Sequence, residues 1–159
     1  MSDYYSEIVP SYDELYGEEQ LKKLDVIAQY IDPEPPLLDI GAGTGISTRF
    51  FNVEAVALDP SEKMLKKYKG KSVVGNAENI PFPDNSFNTI ISVTSLHHVK
   101  NLDLAIREIK RVAKPKCKFA FTILKKAKNF CQLKTKLLKA FNLLQVDEEK
   151  DLILVSQKG

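Results

Sequence analysis

Three glycines and an aspartate have the types and spacing to bind a nucleoside. Gly41, Gly43 and Gly45 directly follow the short apolar run 37–40, and Asp59 ends a second apolar run, 18 residues after Gly41. Glycine lets the backbone turn tightly and approach a ligand closely, because it has no Cβ atom. A carboxylate at the end of the next strand can accept hydrogen bonds from both hydroxyls of a ribose. The pattern therefore predicts a nucleoside-binding loop.

A glycine loop alone also fits a nicotinamide or flavin cofactor. Two details favour a ligand without phosphate. The spacing is GxGxG rather than GxGxxG, and Asp39 lies inside the first apolar run, two residues before Gly41. A pyrophosphate gains nothing from a nearby carboxylate, since the two anions repel. A ligand that carries a sulfonium and an amino group tolerates or needs one.

Alternating apolar runs and amphipathic stretches predict an α/β fold with a mostly parallel sheet and helices on both faces. The predicted strands are 37–40, 55–58, 73–74, 87–93, 119–124, 143–146 and 152–155. The predicted helices are 18–31, one that ends near Phe51, one capped by Ser61, one from Leu102 to a stop near Pro115, and one over 130–140. The last two strands leave no room for a helix between them, so they must pair antiparallel at one edge.

The composition is that of an ordinary globular domain. The 159 residues suit one domain, with 43% hydrophobic and 28% charged residues. No run approaches the roughly 20 apolar residues that cross a bilayer, and the N-terminus does not resemble a signal peptide. Cys117 and Cys131 have neither metal-ligand nor disulfide spacing. We therefore expect a cytoplasmic protein with no metal site and no membrane partner.

Charge is distributed unevenly along the chain. Residues 1–62 carry 13 acidic and 3 basic side chains, whereas residues 63–159 carry 8 acidic and 20 basic ones. Such a polarised surface can recruit an anionic partner such as RNA, or it can be a set of solvated helix faces. Lys125, Lys126 and Lys128 follow the fifth strand, where they can contact phosphates or begin a solvated helix.

Several ordered motifs resemble those of class I S-adenosylmethionine-dependent methyltransferases. LLDIGAGTGISTRFF (37–51) resembles the first motif and ALDPSEKML (57–65) is similar to the second. The segments 73–99 and 105–115 resemble the rest of the pattern called methyltransferase type 11, so that the match covers about 12–125. The resemblance implies a Rossmann-like fold, with a helical lid at 1–35 and a core at 36–159 in one domain. It also implies S-adenosylmethionine as the cofactor and methyl transfer to oxygen or nitrogen as the reaction.

The resemblance further implies a cofactor-binding role for each matched residue. Those expected around the methionine part are Asp39, Gly41, Ala42, Gly43, Gly45 and Ser92. Those expected around the ribose and the adenine are Asp59, Pro60, Met64, Asn76 and Ala77. Those expected to close over the cofactor are Tyr12 and Tyr16. Asn76 departs from the family's usual Asp, but amide and carboxylate oxygens both accept from the adenine amino group.

His97 is the candidate catalytic residue. Methyl transfer from a sulfonium can be catalysed by holding the acceptor close and aligned, and a general base helps only when the acceptor arrives protonated. His97 and His98 follow the fourth strand, where an acceptor is expected, and an imidazole can take its proton. Alternatively, the two histidines cap and pack a short helix. The Asn-Pro-Pro-Tyr motif is absent and 92–95 reads SVTS, which disfavours planar exocyclic or amide nitrogens as acceptors.

The expected fold offers little cover for a small acceptor. Leu124 passes almost directly into the helix that starts near Ala127, which leaves no room for an inserted lid. Small-molecule sites generally enclose most of the ligand, so an open pocket favours RNA or protein as the methyl acceptor. A homodimer or a small activator subunit can complete such a pocket. The alternative function is a non-catalytic methyltransferase-like subunit of a larger complex.

Overall fold

The computed structural model describes residues 9–157, with side chains from Gly17 onward. The helices are α1 (Val9–Tyr30), α2 (Ile46–Phe50), α3 (Glu62–Leu65), α4 (Leu102–Val112) and α5 (Phe130–Ala140), with a 3-10 turn at Leu96–His98. The strands are β1 (Leu37–Ile40), β2 (Ala55–Asp59), β3 (Ser72–Val74), β4 (Phe87–Val93), β5 (Ala113–Leu124), β6 (Leu143–Asp147) and β7 (Asp151–Ser156). The side chains of Tyr12 and Tyr16, which we expected at the cofactor, lie outside the described residues.

The strands form one seven-stranded sheet in the order β3-β2-β1-β4-β5-β7-β6. The pairings from β3 to β5 are parallel, and β7 pairs antiparallel with both β5 and β6. This confirms the mostly parallel sheet and its antiparallel C-terminal hairpin. Because β7 runs opposite to the other strands, its first residues lie at the same edge as the carboxyl ends of β1, β4 and β5.

Both faces of the sheet are covered by helices, as the apolar strands predicted. Leu38 and Ile40 of β1 belong to the core cluster that includes the buried residues of α4 and α5. Leu37 belongs instead to the cluster formed with Leu24 and Ile27 of α1. Successive strand residues thus point to opposite helical layers. The helix pair α1 and α2 covers one face, and the pair α4 and α5 covers the other.

The junction of α4 and β5 differs from the expectation. The helix ends at Val112 rather than near Pro115, and β5 begins at Ala113 rather than at Phe119. The register slips here, since Phe87 pairs with Ala113 but Thr89 pairs with Lys118. The extra residues form an irregular bulge, which tolerates a proline because no ladder N–H is needed there.

Helix α1 begins at Val9, well before the predicted start at residue 18. The apolar spacing that predicted the helix lies in its C-terminal part, where Leu24 and Ile27 are buried. Apolar periodicity marks the buried face of a helix rather than its full length, so the helix can extend beyond the periodic residues. No helix within residues 9–157 is long and apolar enough to span a membrane.

Candidate functional site

The glycine loop after β1 depends on glycine for both its backbone conformation and its packing. Gly41, Gly43 and Gly45 all have positive φ values, of 71°, 58° and 86°. A Cβ atom on Gly41 would lie 2.3 Å from the Ser95 hydroxyl oxygen, and one on Gly45 would lie 2.5 Å from the ring of Tyr68. The loop is therefore a close-fitting glycine cradle, in which the missing Cβ atoms make room for Ser95 and Tyr68.

Asp59 ties the glycine loop to the end of β2. One carboxylate oxygen accepts a hydrogen bond from Gly43 N and the other from Ser61 N, each at 2.8 Å. Ser61 in turn caps α3 by accepting from Met64 N at 3.3 Å, which confirms the predicted N-cap. Burial raises the pKa of Asp59, and the two backbone N–H donors oppose that rise. Each oxygen keeps a second lone pair, so the carboxylate can still accept ribose hydroxyls.

Asp39 is a completely buried carboxylate beneath the same loop. Its Oδ2 accepts from the Ser47 and Thr48 hydroxyls of α2, at 2.7 and 2.8 Å, while Oδ1 has no hydrogen-bond partner among the described residues. Burial raises the pKa of Asp39 to about 7, although the two hydroxyl donors lower it. The negative charge of Asp59 raises it further. A positively charged ligand group would stabilise the ionised form. Sequence reasoning missed Ser47 and Thr48, although both are polar residues in the helix that follows the glycine loop.

Helix α1 closes over the glycine loop. Gln20 of α1, together with residues of the loop and Val93 of β4, lines a cleft of about 10 Å³. A water molecule requires roughly 10–15 Å³ of such space, so the cleft has room for about one water. Sequence reasoning missed Gln20, because a lone glutamine carries no motif.

The remaining predicted cofactor residues lie around the same carboxyl edge in different environments. Pro60 and Asn76 are exposed, and the amide oxygen of Asn76 accepts from Glu78 N at 3.0 Å. Met64 and Ala77 are buried. Ser92 is also buried and donates to Ile40 O at 2.9 Å, so that its hydroxyl joins β4 to β1. These roles stay predictions.

A salt-bridged arginine holds the loop that carries Asn76 and Ala77. Arg111 of α4 donates to Ile80 O and Phe82 O, both at 2.8 Å, and its Nε donates to Glu108 at 2.6 Å. Glu108 also accepts from Ile80 N at 2.9 Å. The pair therefore satisfies backbone groups of the loop that regular secondary structure leaves unpaired.

His97 lies in the 3-10 turn after β4 and is half-buried. Its Nδ1 is buried without a hydrogen-bond partner in the described part of the chain, and the His98 ring centroid lies 3.9 Å from its own. Burial lowers the pKa of His97, and the neighbouring His98 lowers it further. The imidazole is therefore neutral near pH 7 and able to accept a proton.

A buried polar cluster that sequence reasoning missed lies beside His97. Lys23 Nζ of α1 donates to Thr94 Oγ1 at 2.9 Å and lies 3.3 Å from Asp151 Oδ1. Thr94 Oγ1 donates to Asp151 Oδ2 at 2.6 Å and lies 2.9 Å from Thr122 Oγ1. Lys23 is 5% exposed and Asp151 is fully buried. The members are scattered along the sequence, so no local motif indicates them.

Comparison with known proteins identifies the family. Residues 38–121, more than half of the chain, match the family model described as a methyltransferase domain. The chain belongs to this methyltransferase family. The match contains Asp39, the three loop glycines and Asp59, and it ends inside β5.

Two curated relatives are similar in sequence to this methyltransferase over about three quarters of the chain. An uncharacterized protein of Methanocaldococcus jannaschii is 37% identical over 77% of the chain and 51% of its own length. The ubiquinone/menaquinone biosynthesis C-methyltransferase UbiE of Rickettsia bellii is 28% identical over 75% of the chain and 58% of its own length. The chain thus spans about half the length of the curated relatives it matches.

Two solved structures share the fold. A SAM-dependent methyltransferase of Aquifex aeolicus has a TM-score of 0.76 at 18% identity, covering 94% of this chain and 96% of that one. A complex of the Haloferax volcanii Trm112 methyltransferase activator with a proposed methyltransferase has a TM-score of 0.72 at 16% identity. The match covers 94% of this chain and 79% of that one. At these identities the likeness shows the Rossmann-like methyltransferase fold alone.

Family and fold imply S-adenosylmethionine as the cofactor, and the residues at the site fit it. The glycine cradle offers backbone to a ligand without phosphate, and Asp59 offers oxygens to a ribose. The unpartnered Oδ1 of Asp39 offers negative charge to a cationic methionine part. Within the described residues, no group of three or more His, Cys, Asp or Glu side chains could hold a metal ion.

Proposed function

We propose that this chain is an S-adenosylmethionine-dependent methyltransferase that methylates an oxygen or nitrogen of its acceptor. The observation that carries the proposal is the joint placement of Asp39 and Asp59 around the glycine cradle, where both carboxylates have capacity for ligand groups. The cofactor supplies a methyl group on a positively charged sulfur. Asp39, Gly41 and Gly43 hold the methionine part, and Asp59 holds the ribose.

The chain's own residues can also handle the acceptor's proton. His97 lies at the carboxyl end of β4 and is neutral near pH 7, so it can accept a proton from an O–H or N–H acceptor. Holding the acceptor close to the methyl group and in line with it supplies the rest of the rate enhancement, since the methyl donor is already activated.

RNA or protein is favoured as the acceptor. The C-terminal part of the chain is strongly basic, with 20 basic and 8 acidic side chains over residues 63–159. Helix α5 follows β5 after a short connection without an inserted lid. A small activator subunit, as in the Haloferax volcanii complex, or a second copy of the chain would complete the acceptor pocket.

A non-catalytic subunit is the second candidate function. The cleft between Gln20 and the glycine loop has room for about one water, so a cofactor group larger than a water enters it only if residues of α1 shift. A chain in which they do not shift would keep the fold and bind a partner instead.

Transfer of labelled methyl groups separates the two candidates. The purified chain is incubated with methyl-labelled S-adenosylmethionine and cell extract, and the products are treated with ribonuclease or protease. We expect methyl label in the extract that one of the two treatments releases, and much less label with Asp59→Ala at a subsaturating cofactor concentration. No transfer to any fraction even with an added activator, whether or not the cofactor binds, would favour the non-catalytic subunit.

A further inference from the structure

The ammonium group of Lys23 occupies a buried site at the edge of the sheet where ligands bind. Its Nζ contacts Thr94 Oγ1 at 2.9 Å and Asp151 Oδ1 at 3.3 Å. Thr94 follows the carboxyl end of β4, and Asp151 begins the antiparallel strand β7 at the same edge. In open α/β sheets this edge is the ligand-binding edge.

The oxygens around Lys23 Nζ are held by the fold rather than by the lysine. Thr94 has a φ of +53°, a strained value for a β-branched residue. This conformation directs its backbone N–H to Thr122 Oγ1 at 2.8 Å, while its hydroxyl donates to Asp151 at 2.6 Å. Backbone strain of this kind is typical of ligand sites.

A buried lysine–carboxylate pair is weak evidence for stability, because desolvating both charges offsets their attraction. Lys23 and Asp151 are 5% and 0% exposed, and Asp151 Oδ1 makes no hydrogen bond to any described residue. The contact at 3.3 Å is therefore an ion pair without a well-aligned hydrogen bond. Asp151 Oδ1 can therefore still accept a hydrogen bond from a better-placed N–H donor.

The site adjoins both the glycine loop and His97. Val93, directly before Thr94, lines the cleft with Gln20, one helical turn before Lys23. His97 follows Thr94 by three residues, and its Nδ1 is also buried without a partner among the described residues. The charges of Asp151 and Lys23 both act on His97. An ammonium site, a proton acceptor and the cofactor loop are thus neighbours.

We propose that Thr94, Thr122 and Asp151 form the acceptor site for an alkylamine, such as a lysine side chain, and that Lys23 occupies this site from within the chain. The proposal rests on the proposed function and names the class of acceptor. An incoming alkylammonium displaces the Lys23 ammonium and takes over its contacts with Thr94 and Asp151.

The reaction at this site balances in charge and protons. The bound alkylammonium gives one proton to neutral His97, which becomes an imidazolium and later releases the proton to water. The new nitrogen–carbon bond forms as the carbon–sulfur bond breaks, and the electron pair of that bond stays on sulfur. Positive charge therefore moves from sulfur to nitrogen, where the Asp151 carboxylate stabilises it.

Binding of two small probes tests the ammonium site without the cofactor. The variants are Lys23→Ala and Lys23→Ala with Asp151→Asn, titrated with n-butylammonium and with uncharged n-butanol and followed by thermal unfolding. We expect Lys23→Ala to bind n-butylammonium at least about tenfold more tightly than n-butanol, because charge-assisted hydrogen bonds replace those of the lysine. The double variant should lose this preference. Lys136→Ala, which removes the exposed pair with Asp103, is the matched control and should behave as wild type.

Equal binding of the two probes by Lys23→Ala, or a preference that survives Asp151→Asn, overturns the ammonium site. If Lys23→Ala does not fold alone, refolding yield is the readout. Recovery with n-butylammonium but not with n-butanol then supports the site, and recovery with neither contradicts it.

Mass spectrometry of the amine tests the acceptor role. With S-adenosylmethionine added, Lys23→Ala should convert n-butylamine to its N-methyl derivative more than tenfold faster than wild type. If the amine binds but is not methylated while wild type still labels its acceptor in extract, the acceptor assignment fails and the proposed function stands. If calorimetry shows no cofactor binding by wild type, even with an added activator subunit, the proposed function fails, and the acceptor role fails with it.

Discussion

Replacing Asp39 by asparagine should stabilise the fold at high pH and weaken cofactor binding. Burial raises the pKa of Asp39 from its ordinary value near 3.8 to about 7. The folded protein therefore binds this proton more tightly than the unfolded chain does. Stability is accordingly lost as pH rises from about 4 to about 7, and the loss is complete above pH 7.

The magnitude follows from the difference between the two pKa values. A change from 3.8 to about 7 corresponds to about 4 kcal/mol at most. Asparagine keeps one oxygen to accept from Ser47 and Thr48 and carries no charge at any pH. Its amide group at the position of Oδ1 finds no partner among the described residues, which costs about 1–3 kcal/mol at every pH. The pH-dependent part of the difference thus isolates the buried charge.

Urea unfolding of wild type and Asp39→Asn at several pH values measures this effect. The stability of the variant relative to wild type should increase by several kcal/mol between about pH 4 and about pH 8. Asp25→Asn, at an exposed position of α1, is the control and should show no such increase. Calorimetry should show weaker S-adenosylmethionine binding by Asp39→Asn. A stability difference between the two proteins that does not change with pH, or an unchanged cofactor affinity, would refute the reasoning.

Further substitutions test the other parts of the site. Asp59→Ala should lower S-adenosylmethionine affinity by roughly tenfold or more, since it removes charge-assisted hydrogen bonds; calorimetric binding equal to that of wild type would sink the assigned ribose contact. His97→Ala should slow methyl transfer without changing cofactor affinity, and unchanged turnover in the labelling assay would leave only a packing role. Arg111→Met should loosen the loop it holds at Ile80 and weaken binding of adenosine alone, with hydrogen exchange of the loop amides as the check. Gly45→Ala should destabilise the fold by about 1–3 kcal/mol through its φ of 86°, and a wild-type thermal midpoint would contradict this.

The glycine loop, Asp39 and Asp59 could be predicted because they are close in sequence and lie within, or directly after, two apolar strands. The carboxyl ends of neighbouring parallel strands meet at one edge, so spacing alone brings Asp59 to the loop. The observed 2.8 Å bond from Gly43 N to Asp59 supports this reasoning. The mostly parallel sheet likewise followed from the alternation of strands and helices, and its antiparallel edge followed from the short final hairpin.

The polar cluster around Asp151 could not be predicted, because its members come from α1, β5, β7 and the turn after β4. Lys23 and Asp151 are ordinary charged residues in sequence, and only the antiparallel insertion of β7 brings them together. The early start of β5 was missed for another reason. Pro115 indicates the end of a helix but not whether a loop or a bulged strand follows.

The central claim is that the site around Asp39, Asp59 and the glycine loop holds S-adenosylmethionine. Its most direct test is calorimetric titration of the purified chain with S-adenosylmethionine, S-adenosylhomocysteine and NAD in parallel. We predict saturable binding of the first two and none of NAD. Binding of NAD, or binding of none of the three even with an added activator subunit, would contradict the claim.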